Sequence, residues 1–223
     1  MQLDSAILDF LTGIDKNNNK VWFTKNKPFH DEAYKKFKEF CTDLIASGLR
    51  KRDDIEDVKV FRIYRDVRFS KDKTPYKNNF GAGFTRAGKR LRGGYYLHIE
   101  PNNSFVGGGF WDPNPQDLKR IRDEFSFDPH TIMKIQKEKN FKKYFGEIKG
   151  DGVKTCPRGY DINLPCIELI KKKQFVVMRP FTNEELLKKN FSEEVVKTFE
   201  AMRPFFNFMS DVLTTDLNGE SIL

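Results

Sequence analysis

The stretch Gly93–Trp111, GGYYLHIEPNNSFVGGGFW, decides the fold class. Its segment Tyr95-Tyr96-Leu97-His98-Ile99-Glu100 alternates, putting Tyr96, His98 and Glu100 on one face and Tyr95, Leu97 and Ile99 on the other. That period of two is the signature of a half-buried strand. Pro101-Asn102-Asn103 supplies a turn, and Ser104–Trp111 reads as the returning strand, so the unit is an antiparallel hairpin.

Helical patterns flank the hairpin on both sides. Upstream, Leu3, Ile7, Leu8 and Leu11 predict a helix over 3–12, stopped by the polar run 15–20. A second helix is predicted over about 29–47, entered after Pro28, with Phe29, Ala33, Phe37, Phe40, Leu44 and Ile45 as its stripe and Gly48 as its stop. Residues 58–64 read as extended. Downstream, helices are expected over about 115–125, after Pro129, over 167–173, over 184–189 and over 192–209, the last bent near Pro204, with a strand at 174–178. Trp22 and Trp111 are expected to plug the core. No Pro/Gly/Ser-rich linker and no repeat divides the chain. The expectation is an α+β fold, a single domain over 1–223, with a mainly antiparallel sheet packed against several helices.

Composition excludes several classes. With 38% hydrophobic residues and 22 phenylalanines the chain is an ordered globular protein despite 32% charged residues. No apolar run approaches the roughly 20 residues of a membrane span, and the N-terminus does not read as a signal peptide. Cys41, Cys156 and Cys166 are odd in number and lack CxxC spacing, which favours reduced, structural thiols in the cytoplasm. His30 and His130 stand apart, and no HExxH or paired-cysteine pattern predicts a metal.

Charge is local. Lys59–Arg92 holds eleven lysines and arginines against Asp66 and Asp72, a surplus of nine positive charges in a chain whose total is +8. Arg62, Arg65 and Arg68 recur every three residues: in a tight turn they face together, whereas in a strand Arg65 points away. Guanidiniums presented together suit phosphate or clustered carboxylates. Asp66 would orient one of them or tie it into a structural ion pair. Lys73 and Lys77 add point charges around the Thr74-Pro75-Tyr76 turn, and Tyr76 a stacking or hydrogen-bonding group. The plain alternative is a solvated or internally paired basic face.

The glycine-rich run GAGFTRAGKR, residues 81–90, is not a P-loop, because Arg90 stands where Ser or Thr is needed, nor a dinucleotide fingerprint, because Gly81 and Gly83 are followed by Arg86 and then by an expected strand rather than a helix. His98 and Glu100, sharing a strand face, are the candidate acid–base pair, with a buried hydrogen-bond network as the plain reading. Arg158-Gly159-Tyr160-Asp161 forms a third constellation, in which Arg158 would hold an anion and Asp161 fix it, or the two would simply pin the loop.

Together NNNKVWF at 17–23, FRIYRDVRFSKDKTPYK at 61–77, GGYYLHIEPNNSFVGGGFW at 93–111 and CPRGYD at 156–161 resemble the DUF2461 family of uncharacterised proteins across nearly the full chain. The resemblance implies one compact family domain, with Arg62, Arg65, Asp66, Arg68, Lys73, Tyr76 and Lys77 in its central motif and Arg158 and Asp161 in its later one. It carries over no reaction. The leading expectation is recognition of a phosphorylated or otherwise anionic small molecule. Nucleic acid is a candidate partner without a specific motif, and no membrane partner is expected. The alternatives are an enzyme acting on an anionic substrate through His98 and Glu100, and a structural or protein-interaction module. Nothing in the sequence names a cofactor or an oligomeric state.

Overall fold

A computed structural model of the chain describes residues 1–46, 55–216 and 218–223; the expected helix stop at Gly48 lies outside them. Among the described residues the helices are α1 (Ser5–Lys16), α2 (Lys20–Lys25), α3 (Lys27–Leu44), α4 (Pro115–Phe127), α5 (Pro129–Lys137), α6 (Lys139–Phe145), α7 (Ile167–Ile170), α8 (Asn183–Leu186) and α9 (Phe191–Thr214). The strands are β1 (Ile55–Val60), β2 (Phe80–Arg86), β3 (Gly94–Ile99), β4 (Ser104–Phe110) and β5 (Phe175–Phe181). They form one antiparallel sheet in the order β1-β2-β3-β4-β5. The fold is α+β, as the hairpin and flanking helices imply.

Two compact units divide the chain. The first comprises 1–84, 96–106 and 180–197, the second 85–95, 107–179 and 198–223. In the first unit Asp4 caps α1 by accepting from the Ala6 amide at 2.9 Å. The buried faces of α1 and α3 meet β2 through rings: Phe10 stacks on Phe80 at 5.9 Å and Phe37 at 5.6 Å. Phe80, Ala82 and Phe84 point into this core, as do Leu97, Ile99 and Val106.

β2 is the main departure from the sequence reading, in which GAGFTR belongs to a glycine-rich run with no strand pattern. Gly81 is required there by close approach, whereas Gly83 is not. A Cβ on Gly81 would lie 2.4 Å from the Tyr96 hydroxyl, and one on Gly83 would lie 3.4 Å from the Phe61 ring. The strand expected at 58–64 ends at Val60 instead, and Phe61–Arg65 continues as a looser ladder against 75–81. α2 also escaped the periodicity analysis, being 6 residues long.

In the second unit Tyr95 lies on Phe199 at 4.5 Å and on Phe206 at 4.9 Å. The run Gly107-Gly108-Gly109 has a steric cause there: a Cβ on Gly109, at φ 143°, would meet the Phe175 carbonyl oxygen at 2.2 Å. Arg86 is buried with neutral acceptors, donating to Asn207 Oδ1 at 2.7 Å and to the Arg92 carbonyl at 3.1 Å. α9 carries Pro204 inside its span and runs on to Thr214, past the stop expected near residue 209. Trp111 is 43% exposed rather than a core plug, since the strand ends one residue before it. Trp22 is half-buried against Phe10, and the plug beside it is Phe23. No helix among the described residues is long and apolar enough to cross a membrane.

Candidate functional site

Asparagines assemble the site in the first unit. In NNNKVWF, Asn19 caps α2 by accepting from the Trp22 amide at 2.9 Å. Asn18 clasps Tyr76 like a pairing strand residue: its Nδ2 donates to the Tyr76 carbonyl at 2.9 Å, and its Oδ1 accepts from the Tyr76 amide at 3.1 Å. Phe23 stacks on the Tyr76 ring at 4.0 Å and 16°. The opposite side of the Tyr76 turn is held by Arg65 N–H to the Pro75 carbonyl at 3.0 Å and Lys77 N–H to the Ile63 carbonyl at 2.8 Å. Two sequence motifs about sixty residues apart are thus locked into one wall.

That wall encloses a polar cleft of about 510 Å³ lined by Asp15, Asn18, Arg65, Asp72, Thr74, Tyr76, Lys77, Asn78 and Asn79. Arg65, Tyr76 and Lys77 were named from sequence; the acids and amides were not, although the doublets Asn18-Asn19 and Asn78-Asn79 are visible there. Tyr76 presents mainly its backbone, because its ring is buried.

Most of the basic block is paired internally. Arg65 donates through Nη1 to Asp72 Oδ2 and Thr74 Oγ1, and Asp72 also accepts from the Thr74 amide at 2.9 Å. These bonds, Arg65's foremost, hold the Asp72 carboxyl at a pKa of about 2. Arg68 forms a fork on Asp66, with Nε to Oδ1 at 2.9 Å and Nη2 to Oδ2 at 2.6 Å, at an exposed loop tip outside the cleft lining. Lys73 donates to the Val67 carbonyl at 3.0 Å. The three arginines therefore do not face together: Arg65 turns into the cleft, Arg68 stays with Asp66, and Arg62 stands exposed.

Lys77 differs from its neighbours. It is half-buried, lines the cleft and makes no side-chain hydrogen bond or ion pair among the described residues. Burial, and secondarily the positive charge of Arg62, lowers its pKa below the ordinary lysine range. Arg62 likewise has no ion pair among the described residues.

His98 and Glu100 sit one residue behind the cleft. His98 Nε2 bonds Glu100 Oε2 at 2.9 Å and its Nδ1 bonds the Tyr96 hydroxyl at 3.2 Å. Glu100 also accepts from Asn103 at 2.8 Å and from Asn78 at 2.9 Å, and Asn78 Nδ2 lies 3.0 Å from Asp15 Oδ1. Both imidazole nitrogens are engaged, and Asn78 links the pair to the cleft lining. Burial, with Glu100 second, raises the Tyr96 phenol.

Arg158 and Asp161 belong to the second unit, on an exposed turn. Asp161 accepts from the Asn163 amide at 2.9 Å and from its Nδ2 at 3.0 Å, rather than fixing Arg158. Tyr160 between them donates to Asp123 at 2.8 Å, which pins the loop. Among the described residues no group of His, Cys, Asp and Glu is arranged to hold a metal ion.

The family model described as "Conserved hypothetical protein (DUF2461)" matches residues 6–208. The chain belongs to the DUF2461 family. This match takes in the asparagine clasp, the cleft, the His98–Glu100 pair and the Arg158 turn alike. No curated protein and no solved structure matches the chain.

Proposed function

We propose that this DUF2461 protein binds a phosphorylated or otherwise anionic small molecule at the Lys77 end of the cleft. One observation carries the reading. Lys77 is a half-buried cation in a polar cleft, without a carboxylate partner among the described residues and repelled by Arg62, while Arg65, Arg68 and Lys73 are already engaged. An anion between Lys77 and Arg62 relieves that repulsion and replaces the water that burial removed. The cleft volume suits a single small ligand. Nucleic acid and protein docking gain less support, since Arg65, Arg68 and Lys73 already hold partners within their own loop.

The test is calorimetric titration with ribose 5-phosphate of the intact chain and of Lys77→Met, Arg62→Met and Arg68→Met. Lys77→Met and Arg62→Met weaken binding by about tenfold or more, the scale of one charge-assisted contact, and Arg68→Met leaves it unchanged. Equal affinity in all four proteins refutes the assignment.

An enzymatic reading on the same anion is supported by Asn78, whose Nδ2 donates to both Glu100 and Asp15 and so ties the His98–Glu100 pair to the cleft lining without itself relaying a proton. Phosphorus NMR of a bound sugar phosphate shows whether it turns over. Turnover unaffected by His98→Asn would remove the pair from any catalytic role.

A further inference from the structure

The Lys77 ammonium stands at the end of a row of aromatic rings that the anion site alone does not use. On the β2–β3 face opposite Phe80 and Leu97, the centroids of Phe61 and Tyr96 lie 6.1 Å apart. Those of Tyr96 and Phe105 lie 5.8 Å apart, and His98 stacks on Phe105 at 4.7 Å and 15°. All four rings are half-buried, whereas the alternate residues of the same strands are buried in the core. Gly81 and Gly83 leave the space in which the Tyr96 hydroxyl and the Phe61 ring edge sit against the strand. Lys77 Nζ is 5.8 Å from the Phe61 centroid, which joins the ring row to the cleft.

We propose that this ring shelf, together with Lys77 and Arg62, is a mononucleotide site: the base stacks at Phe61 and Tyr96 while the phosphate sits between the two cations. The assignment rests on the anion reading above and adds the ligand class. Aromatic side chains offer a π-face that any base can use, and stacking tolerates base identity. The cleft beside Lys77 offers hydrogen-bonding groups to a ribose, Asp15 and Asn79 among them. A free mononucleotide fits better than a strand. The cleft holds one small molecule, and the Arg65, Arg68 and Lys73 groups that would track further phosphates are occupied.

Calorimetric titration of the full chain with adenosine 5′-monophosphate, ribose 5-phosphate and a single-stranded oligomer of eight deoxyadenosines tests the assignment. The monophosphate binds about 5- to 150-fold more tightly than ribose 5-phosphate, the span expected for one stacked base. Phe61→Leu erases that margin while leaving ribose 5-phosphate affinity intact. Because Phe61→Leu could unfold, the wild-type complex is also read by intermolecular NOEs from the adenine protons to the Phe61 and Tyr96 rings. Equal affinity for the two phosphates, or absent NOEs, overturns the shelf and spares the anion site. Failure of both phosphates to bind overturns both. An oligomer that binds more tightly than the mononucleotide by more than its eight equivalent bases explain overturns the choice of a free nucleotide.

Discussion

Gly81→Ala tests whether the glycines of β2 exist to seat the rings above them. Gly81 lies outside the left-handed region, so the backbone itself accepts alanine. The new methyl would meet the Tyr96 hydroxyl at 2.4 Å, Cζ at 3.1 Å and Cε2 at 3.2 Å. Tyr96 cannot swing freely, since it touches Phe61 and Phe105 and its hydroxyl bonds His98 Nδ1 at 3.2 Å. Overpacking of this kind costs about 1–3 kcal/mol, and losing the hydroxyl bond about 0.5–1.5 kcal/mol. Restricting the unfolded chain returns about 0.4–1 kcal/mol. The expected net destabilisation is about 0.5–4 kcal/mol. Gly83→Ala is the internal control: its methyl meets Phe61 Cζ at 3.4 Å and Cε2 at 3.6 Å, ordinary contact distances. It should be neutral or stabilising by up to about 1 kcal/mol. Equilibrium urea unfolding reads both as midpoint shifts at constant m-value. In a Tyr96→Phe background, which removes the nearest atom, Gly81→Ala should cost about 1 kcal/mol less, a coupling a double-mutant cycle isolates. If Gly81→Ala is no less stable than Gly83→Ala, the steric account of the strand is wrong.

Three further outcomes follow from the site and the thiols. Above the ligand phosphate's own second ionisation at about pH 6, anion affinity should fall as pH rises through the lowered Lys77 pKa, because the neutral amine no longer attracts the ligand and Arg62 is left alone; Lys77→Met should abolish that alkaline fall in calorimetry. The Asp72 carboxyl should titrate at about 2 by carbon-13 NMR and return toward about 3.9 in Arg65→Met. Since its folded pKa is depressed, its contribution to stability is present above the unfolded value and fades as pH falls from about 4 through about 2. Native protein should react with one equivalent of Ellman's reagent, at the half-buried Cys156, and unfolded protein with three, because burial raises the thiol pKa of Cys41 and Cys166.

The sequence made the β3–β4 hairpin legible because its two faces differ in polarity, and the burial along β3 alternates as the residues do. β2 was illegible for the opposite reason. Its glycines removed the side-chain alternation that a periodicity reading needs, and the cause of Gly81, the Tyr96 ring, comes from another strand. The basic block was legible as charge but not as function. Arg65 with Asp72 and Arg68 with Asp66 are pairings that Coulomb attraction permits and only loop geometry selects.

By itself, then, the sequence determined the α+β class, the family, the shared face of Tyr96, His98 and Glu100, and a local surplus of positive charge. Those properties depend on composition and on neighbours within a few residues, where strand and helix periods translate directly into position. The tertiary structure decided which cations remain unpaired, that Asn18 reaches Tyr76, and that Lys77 stands beside Phe61. These are contacts across turns and between distant segments, and the free energy that selects them comes from burial and hydrogen-bond satisfaction of the whole fold rather than from any one stretch.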